Sequence, residues 1–354
     1  MNKTLRVGVA GVGIGAQHVD AYRELPEQFE VAALCDIDEN KVREIAARYQ
    51  IPQVFTDFSV LCQRDDLDLI DICTPSYLHA SQTLEALNAG KHVICEKPAA
   101  GSLQEIDQLL TAESRSGKRV MPIFQYRFGH GVQKLKYLIE QGLAGPAYLT
   151  TVETAWRRKA AYYAVPWRGK WATELGGALV TLAIHAHDIL YYVLGPVKSV
   201  FARTATKVNL IETEDCMCAA LEMADGSLAS LAVTTGSAVE ITRHRFCFQG
   251  FTAESNHEAY RNTCDPWSFT GDTPEMTERI NDALARFMPQ PEKFVRQFAL
   301  FHEALQHNTE LPVTLADARA SLELITAIYY SAQTSRDVTL PITPDHPNYD
   351  SWRP

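Results

Sequence analysis

Residues 5–16 read LRVGVAGVGIGA: a short apolar run breaks into Gly11-Val12-Gly13-Ile14-Gly15-Ala16 before a helical pattern takes over. Gly11, Gly13 and Ala16 give G-x-G-x-x-A at a strand-to-helix turn. Glycine there permits the tight turn and lets a pyrophosphate approach the backbone, while Ile14, Gly15 and Ala16 open a helix whose free amides favour an anion. Alone, the pattern also fits a glycine turn that binds no nucleotide. Twenty residues after Ala16, a second apolar run, FEVAALCD, ends in Asp36. A carboxylate at that point accepts both hydrogen bonds of an adenosine ribose diol and repels a 2′-phosphate. The combination predicts NAD as cofactor in preference to NADP, although Lys41 and Arg43 keep NADP open. Asp36 as a mere helix cap is the plainer alternative.

Outward from this turn, LRVGVAG, FEVAALCD, LDLIDICTP and KHVICEKP alternate with helical segments. Such alternation predicts right-handed βαβ units and a Rossmann domain with a doubly wound parallel sheet over residues 1–125. Past Gln125 the pattern becomes a helix, GVQKLKYLIEQG, followed by long alternating strands such as AYLTTVETAW and SLASLAVTTG. Residues 126–354 are therefore expected to form an α+β domain with an open, mainly antiparallel sheet. Helices would cover one sheet face and leave the other for a subunit partner in a homo-oligomer. A length of 354 residues suits two domains, and 46% hydrophobic with 21% charged residues is ordinary for a globular protein. The formal charge of -10 disfavours nucleic acid and anionic membrane as partners. No targeting signature or membrane-length apolar run is visible, and the eight cysteines lack C-x-x-C pairing. The expectation is a cytoplasmic protein with reduced thiols and no metal.

Two further motifs, ICTPSYLHA and GKHVICEKP, set polar residues at the C-terminal ends of strands, the edge where open α/β sheets bind ligands. Thr74-Pro75 and His79 make T-P-x-x-x-H; Gly90-Lys91-His92-Val93 precedes Glu96-Lys97-Pro98. In this order, after the glycine turn and Asp36, the motifs resemble the Gfo/Idh/MocA family of nicotinamide-dependent oxidoreductases over essentially the whole chain. The resemblance implies that Thr74, Pro75, His79, Glu96 and Lys97 belong to the cofactor site. It further implies that Lys97 points at the reacting carbon and that a cis bond precedes Pro98. A partly desolvated lysine beside a positive nicotinamide exchanges protons more readily near neutral pH. An exposed lysine paired with Glu96 is the plainer reading.

The stretch ELGGALVTLAIHAHDIL, residues 174–190, reads as one helix. The resembled family carries an Asp and, four residues later, a His around the substrate hydroxyl. His185 matches the His, whereas Thr181 stands where the Asp would be. Threonine can hydrogen-bond a hydroxyl but holds no charge, so the proton relay falls to Lys97 and His185. Asp188, three residues on, shares a face with His185 and is placed to hold its ring; His187 points elsewhere and reads as a core polar group. The segment AWRRKAAYYAVPWRGKWATELGG gathers three of the five tryptophans with Arg157, Arg158, Arg168 and Lys170. Aromatic faces stack on sugar C–H faces, and arginines hold hydroxyls or anionic substituents. Trp156, Arg158, Trp167 and Arg168, with Tyr126, Arg127 and Asp188, are thus expected to contact a carbohydrate or polyol, an acidic sugar included. A salt-bridged surface loop is the alternative. Residues 252–294 show no clean period and are expected to form a loop or partial lid, and the proline-rich tail 341–354 an extended arm free to wrap a neighbouring subunit. Together these features predict hydride transfer between NAD(P) and a secondary alcohol carbon of a sugar, polyol or glycoside. An NAD-assisted glycosidase that oxidises its substrate transiently, and a non-catalytic NAD and sugar sensor, are the other readings.

Overall fold

The computed structural model describes residues 3–353. They separate into two compact units: one holds the chain up to Phe124 and Phe294–Arg319, the other Gln125–Lys293 and the chain from Ala320 onward. In the first unit β1 (Leu5–Ala10), α1 (Gly15–Arg23), β2 (Phe29–Cys35), α2 (Glu39–Tyr49), β3 (Gln53–Phe55), α3 (Phe58–Cys62), β4 (Leu69–Ile72), α4 (His79–Asn88), β5 (His92–Cys95), α5 (Leu103–Ser116) and β6 (Val120–Pro122) alternate. All six strands pair in parallel, in the order β3-β2-β1-β4-β5-β6. Every residue of β4 is buried, as a parallel strand covered on both faces requires. The strand order reverses between β1 and β4, so the ligand crevice of this doubly wound sheet opens at their C-terminal ends.

The second unit continues with α6 (His130–Glu140), β7 (Ala147–Arg157), α7 (Ala160–Tyr163), α8 (Trp171–Glu174), α9 (Ala178–Thr181), α10 (Ile184–Leu194), β8 (Val197–Ala205), β9 (Cys216–Met223), β10 (Leu228–Thr234), β11 (Gly236–Phe248), β12 (Phe251–Glu254), β13 (Ser268–Gly271) and α11 (Pro274–Leu284). After α12 (Lys293–His307) and α13 (Leu315–Thr334), β14 (Val338–Thr339) closes an eight-stranded sheet ordered β13-β12-β11-β7-β10-β9-β8-β14. Only the β7–β10 pairing is parallel. Period-two alternation buries Met217, Ala219, Leu221 and Met223 of β9 and exposes Cys218 and Ala220. On another part of the covered face, Val132 and Leu135 of α6 and Ile189 of α10 pack with Phe246 and Phe251.

Three expectations are corrected. Residues 252–294 carry β12, β13 and α11 rather than a loop; the strands are short, and proline interrupts any period long enough to read. The tail folds back on its own unit: Trp352 is fully buried and donates its indole N–H to the Leu175 carbonyl at 2.7 Å. Residues 294–319 join the first unit, because Phe294 and Phe298 of α12 pack on His18 and Phe298 stacks on Tyr22 at 4.4 Å. Periodicity identified the apolar face of that helix but not what it covers. Among the described residues no single helix is long and apolar enough to span a membrane, and the eight cysteines are free thiols.

Candidate active site

Gly11 adopts φ +89°, and a Cβ there would lie 2.4 Å from the Cys73 carbonyl oxygen, so no other residue fits. A Cβ on Gly15 would approach Val9 Cγ1 to 2.9 Å, which lets α1 sit close on β1. Around Gly13 only Lys41 Nζ, at 4.0 Å, comes near, leaving that side of the turn open. No side chain caps the start of α1, so its first amides are available to an anion. Asp36 follows β2; one carboxylate oxygen accepts from the Val12 amide at 2.9 Å and the other from the Asp38 amide at 3.1 Å. Open amides beside a fixed carboxylate suit the pyrophosphate and ribose of NAD(H).

Lys41 Nζ lies 3.7 Å from the same Asp36 carboxylate. Removing the Asp36 charge would leave this ammonium to meet a 2′-phosphate. Asp36→Ser is accordingly expected to move the ratio of kcat/KM for NAD over NADP toward NADP by about 100-fold, equivalent to roughly 3 kcal/mol. Absorbance assays with both cofactors measure it, and a ratio changed by less than about threefold would show that Asp36 does not select the cofactor.

Of the residues after β4 and β5, Thr74 is half-buried and donates its hydroxyl to Gln82 Oε1 at 2.5 Å, next to Pro75. His79 is not a ligand-facing residue as expected: it is buried, with Nδ1 2.7 Å from the Pro98 carbonyl and Nε2 2.7 Å from the Thr74 carbonyl. It ties together the two loops that the sequence reading assigned to the cofactor. Glu96 is also turned inward, and its Oε2 accepts the Lys97 amide at 3.0 Å. Lys97 itself stays partly exposed, ahead of a cis peptide to Pro98.

In the second unit the stretch 174–190 is not one helix: it runs from the end of α8 through the single turn α9 into α10. Leu175 takes a left-handed φ of 68°, and Gly177 (φ -96°, ψ -137°) ends the turn before α9. A Cβ on Gly177 would lie 1.7 Å from the Glu214 carbonyl oxygen. Glu214, which the sequence reading missed, accepts from the amides of Gly177 at 2.9 Å and Leu179 at 2.8 Å and from the Tyr329 hydroxyl at 2.7 Å. It therefore caps α9, which ends at Thr181, whose own hydroxyl donates to the Gly177 carbonyl at 2.8 Å. Burial pushes the Glu214 carboxyl up to about 7, against these donors. A folded pKa above the unfolded 4.5 means that stability is fully present below pH 4.5 and lost as pH rises through about 7. Relative to Glu214→Gln, the wild type should lose roughly 3 kcal/mol of unfolding free energy between about pH 4 and 8. Denaturant titrations at several pH values measure this, and parallel curves for the two proteins would refute it.

His185, on α10, stacks on Tyr126 with ring centroids 4.6 Å apart and planes 15° from parallel. Asp188 has a partner the sequence did not suggest. The Arg127 guanidinium donates Nη2 to its Oδ1 at 2.6 Å and Nε to its Oδ2 at 2.8 Å, with both residues buried. Arg127 and Asp188 are thus an internal strut rather than substrate contacts. His187 is buried, with neither ring nitrogen hydrogen-bonded, and burial pushes its imidazole down to about 3, as a core histidine kept neutral.

The aromatic and basic loop divides. Trp156 and Arg158, expected at substrate, are buried: the indole N–H donates to Thr242 at 2.8 Å, and the guanidinium pairs with Glu240 and Tyr260 over the Trp156 ring. Neither offers a face to a sugar. Trp167 and Arg168 remain partly exposed, the guanidinium 4.6 Å from the Trp167 ring centroid and 3.7 Å from that of Tyr162. Cation–π stacking holds this pair as one platform.

The glycine turn, Asp36 and the doubly wound sheet define a dinucleotide-binding domain. Residues 5–124 match the family model described as the oxidoreductase family with NAD-binding Rossmann fold, and residues 132–252 match the Gfo/Idh/MocA C-terminal domain. The chain belongs to the Gfo/Idh/MocA family of oxidoreductases. It is 28% identical to D-glucoside 3-dehydrogenase of Escherichia coli over 359 residues, 95% of this chain and 97% of that protein. To inositol 2-dehydrogenase of Salmonella typhimurium it is 27% identical over 215 residues, 59% and 61% of the two chains. The crystal structure of the WlbA dehydrogenase from Bordetella pertussis, in complex with NADH and UDP-GlcNAcA, matches with a TM-score of 0.85 and 29% identity, covering 96% of this chain and 100% of that one.

Proposed function

We propose that this NAD-dependent dehydrogenase oxidises a secondary ring hydroxyl of a pyranoside, with Lys97 exchanging the hydroxyl proton. The observation that carries the proposal is Lys97 itself: partly exposed at the C-terminal edge of the sheet, its amide fixed on Glu96 and the following Pro98 carbonyl held by His79. Bound NAD supplies the acceptor for the hydride leaving the carbinol carbon. The chain's own part is to bind the sugar, hold the hydroxyl and remove its proton. Lys97 Nζ takes that proton in the oxidation direction and returns it in reduction. The family resemblance assigns His185, whose ring is set by the Tyr126 face, to the polar contacts of the sugar. The Thr181 hydroxyl already donates to Gly177, so toward a substrate hydroxyl it acts as an acceptor. The Trp167–Arg168 platform lies against the sugar, with Arg168 also facing the Glu174 carboxylate at 3.8 Å.

Kinship with D-glucoside 3-dehydrogenase supports a pyranoside, and the UDP-GlcNAcA bound by the WlbA dehydrogenase supports an acidic sugar. The exposed Cys218, Ala220, Ser230 and Ala232 give one face of the second sheet a flat, weakly polar surface that suits a homodimer or homotetramer. Eight unpaired cysteines accord with the cytoplasm.

NADH absorbance with neutral glucosides, inositols, uronates and nucleotide sugars tests the proposal, with Lys97→Ala as control. Turnover that depends on Lys97 is the expected result. Release of aglycone without net NADH would replace it with an NAD-assisted glycosidase, and ligand binding without any turnover with a sensor.

A further inference from the structure

A buried polar cluster in the first unit has, apart from Glu96, no part in the chemistry above. His18 of α1 is fully buried, with Nδ1 2.9 Å from Asp71 Oδ2 and Nε2 3.3 Å from Glu96 Oε1. Asp71, also fully buried, receives the Tyr22 hydroxyl at 3.0 Å and the Cys73 thiol at 3.5 Å. The Cys73 sulfur lies 3.3 Å from His18 Nδ1. Phe294 and Phe298 close over the imidazole at centroid distances of 4.5 and 5.3 Å. Glu96 is the pivot, because its other oxygen holds the Lys97 amide.

We propose that His18 is a positioning residue for Lys97: as a buried imidazolium it bridges Asp71 and Glu96 and so fixes the loop that carries the lysine. The proposal rests on Lys97 being the proton-exchanging group. Two carboxylates buried on opposite sides of one imidazole ring are both stabilised by a positive charge on that ring. Only the doubly protonated ring can donate from both nitrogens at once. Burial works against that charge, but the Asp71 carboxylate overrides it and holds the His18 proton affinity well above the ordinary histidine range. Tyr22 and Cys73 stay neutral, since burial and the same carboxylate push both groups up. In the proposed state one imidazolium therefore lies between two carboxylates. Because His18 sits in α1 behind the glycine turn, Asp71 in β4 and Glu96 after β5, it also locks the three segments that frame the cofactor crevice.

Charge balance distinguishes this role from simple space-filling. His18→Gln leaves two buried carboxylates facing each other, whereas His18→Gln with Asp71→Asn leaves one carboxylate and restores the wild-type net charge. With NAD and methyl glucopyranoside as substrates, His18→Gln is expected to lower kcat about tenfold, with KM for NAD within about threefold. Adding Asp71→Asn should regain most of that loss. A double variant worse than either single one would overturn the proposal. Independently of activity, NMR of 15N-histidine protein should show both His18 ring nitrogens protonated at about pH 8, with the signal assigned by its absence in His18→Gln. A neutral ring there would also overturn it. If Lys97→Ala turns over normally, the assignment of Lys97 fails, while the NMR result still reports the state of His18.

Discussion

Lys97→Met is expected to lower kcat by a factor on the order of 10² to 10⁴ while NADH binding, followed by fluorescence, changes no more than a few-fold. Methionine keeps the length and apolar stem of lysine and removes only the amine to which the proton exchange is assigned by the proposal. The backbone around it should survive, because the contacts that hold it are made by other atoms: the Lys97 amide on Glu96 and the Pro98 carbonyl on His79. The loss then falls on kcat, since the proton is exchanged in the transition state and contributes little to ground-state binding. With His185 in the proposed substrate-contact role, His185→Asn should cost less, about tenfold to a hundredfold, because asparagine can still hydrogen-bond but loses the ring stacked on Tyr126. A Lys97→Met enzyme within about fivefold of wild type would remove lysine from the mechanism.

The parts of this molecule that follow from short-range pattern were legible in the sequence. Gly11 and Asp36 are separated by one helix and one strand, α1 and β2, and the parallel sheet follows from the alternation of apolar strands with helices. What the sequence hid lies in pairings across long intervals. Arg127 meets Asp188 across 61 residues, and Glu214 reaches Gly177 across 37. Periodicity assigns each of these residues to a face but does not say which charge lies opposite. The nearest partner that periodicity offers Asp188 is His185 at i-3, whereas the Arg127 guanidinium holds it with two hydrogen bonds. Trp156 and Arg158 were read as sugar contacts for the same reason: a sequence rich in tryptophan and arginine looks alike whether its groups meet a ligand or each other. Only burial tells the partly exposed Trp167 and Arg168 apart from them.

Asp188→Ala is expected to destabilise the second unit by about 3–5 kcal/mol, because it strands the Arg127 guanidinium where water does not reach. Both partners are buried and the two hydrogen bonds run in parallel, a geometry in which the loss of one charge is far more costly than at a surface. On a unit of this size that is a fall in melting temperature of about 10 °C. Arg127→Met combined with Asp188→Leu should recover most of the stability, since no charge is left behind. It should not recover activity. Arg127 follows Tyr126 in a 3-10 turn, and Asp188 lies on the helix that carries His185. The ion pair thus fastens together the two segments whose rings stack at 4.6 Å. An apolar pair fills the space without fixing direction, so the imidazole loses its orientation while the fold persists. Calorimetry and kcat on the single and double variants separate the two effects. A cost below about 1 kcal/mol for Asp188→Ala would mean that the pair is solvated like a surface bridge. Full activity in the double variant would mean that Tyr126 alone sets His185.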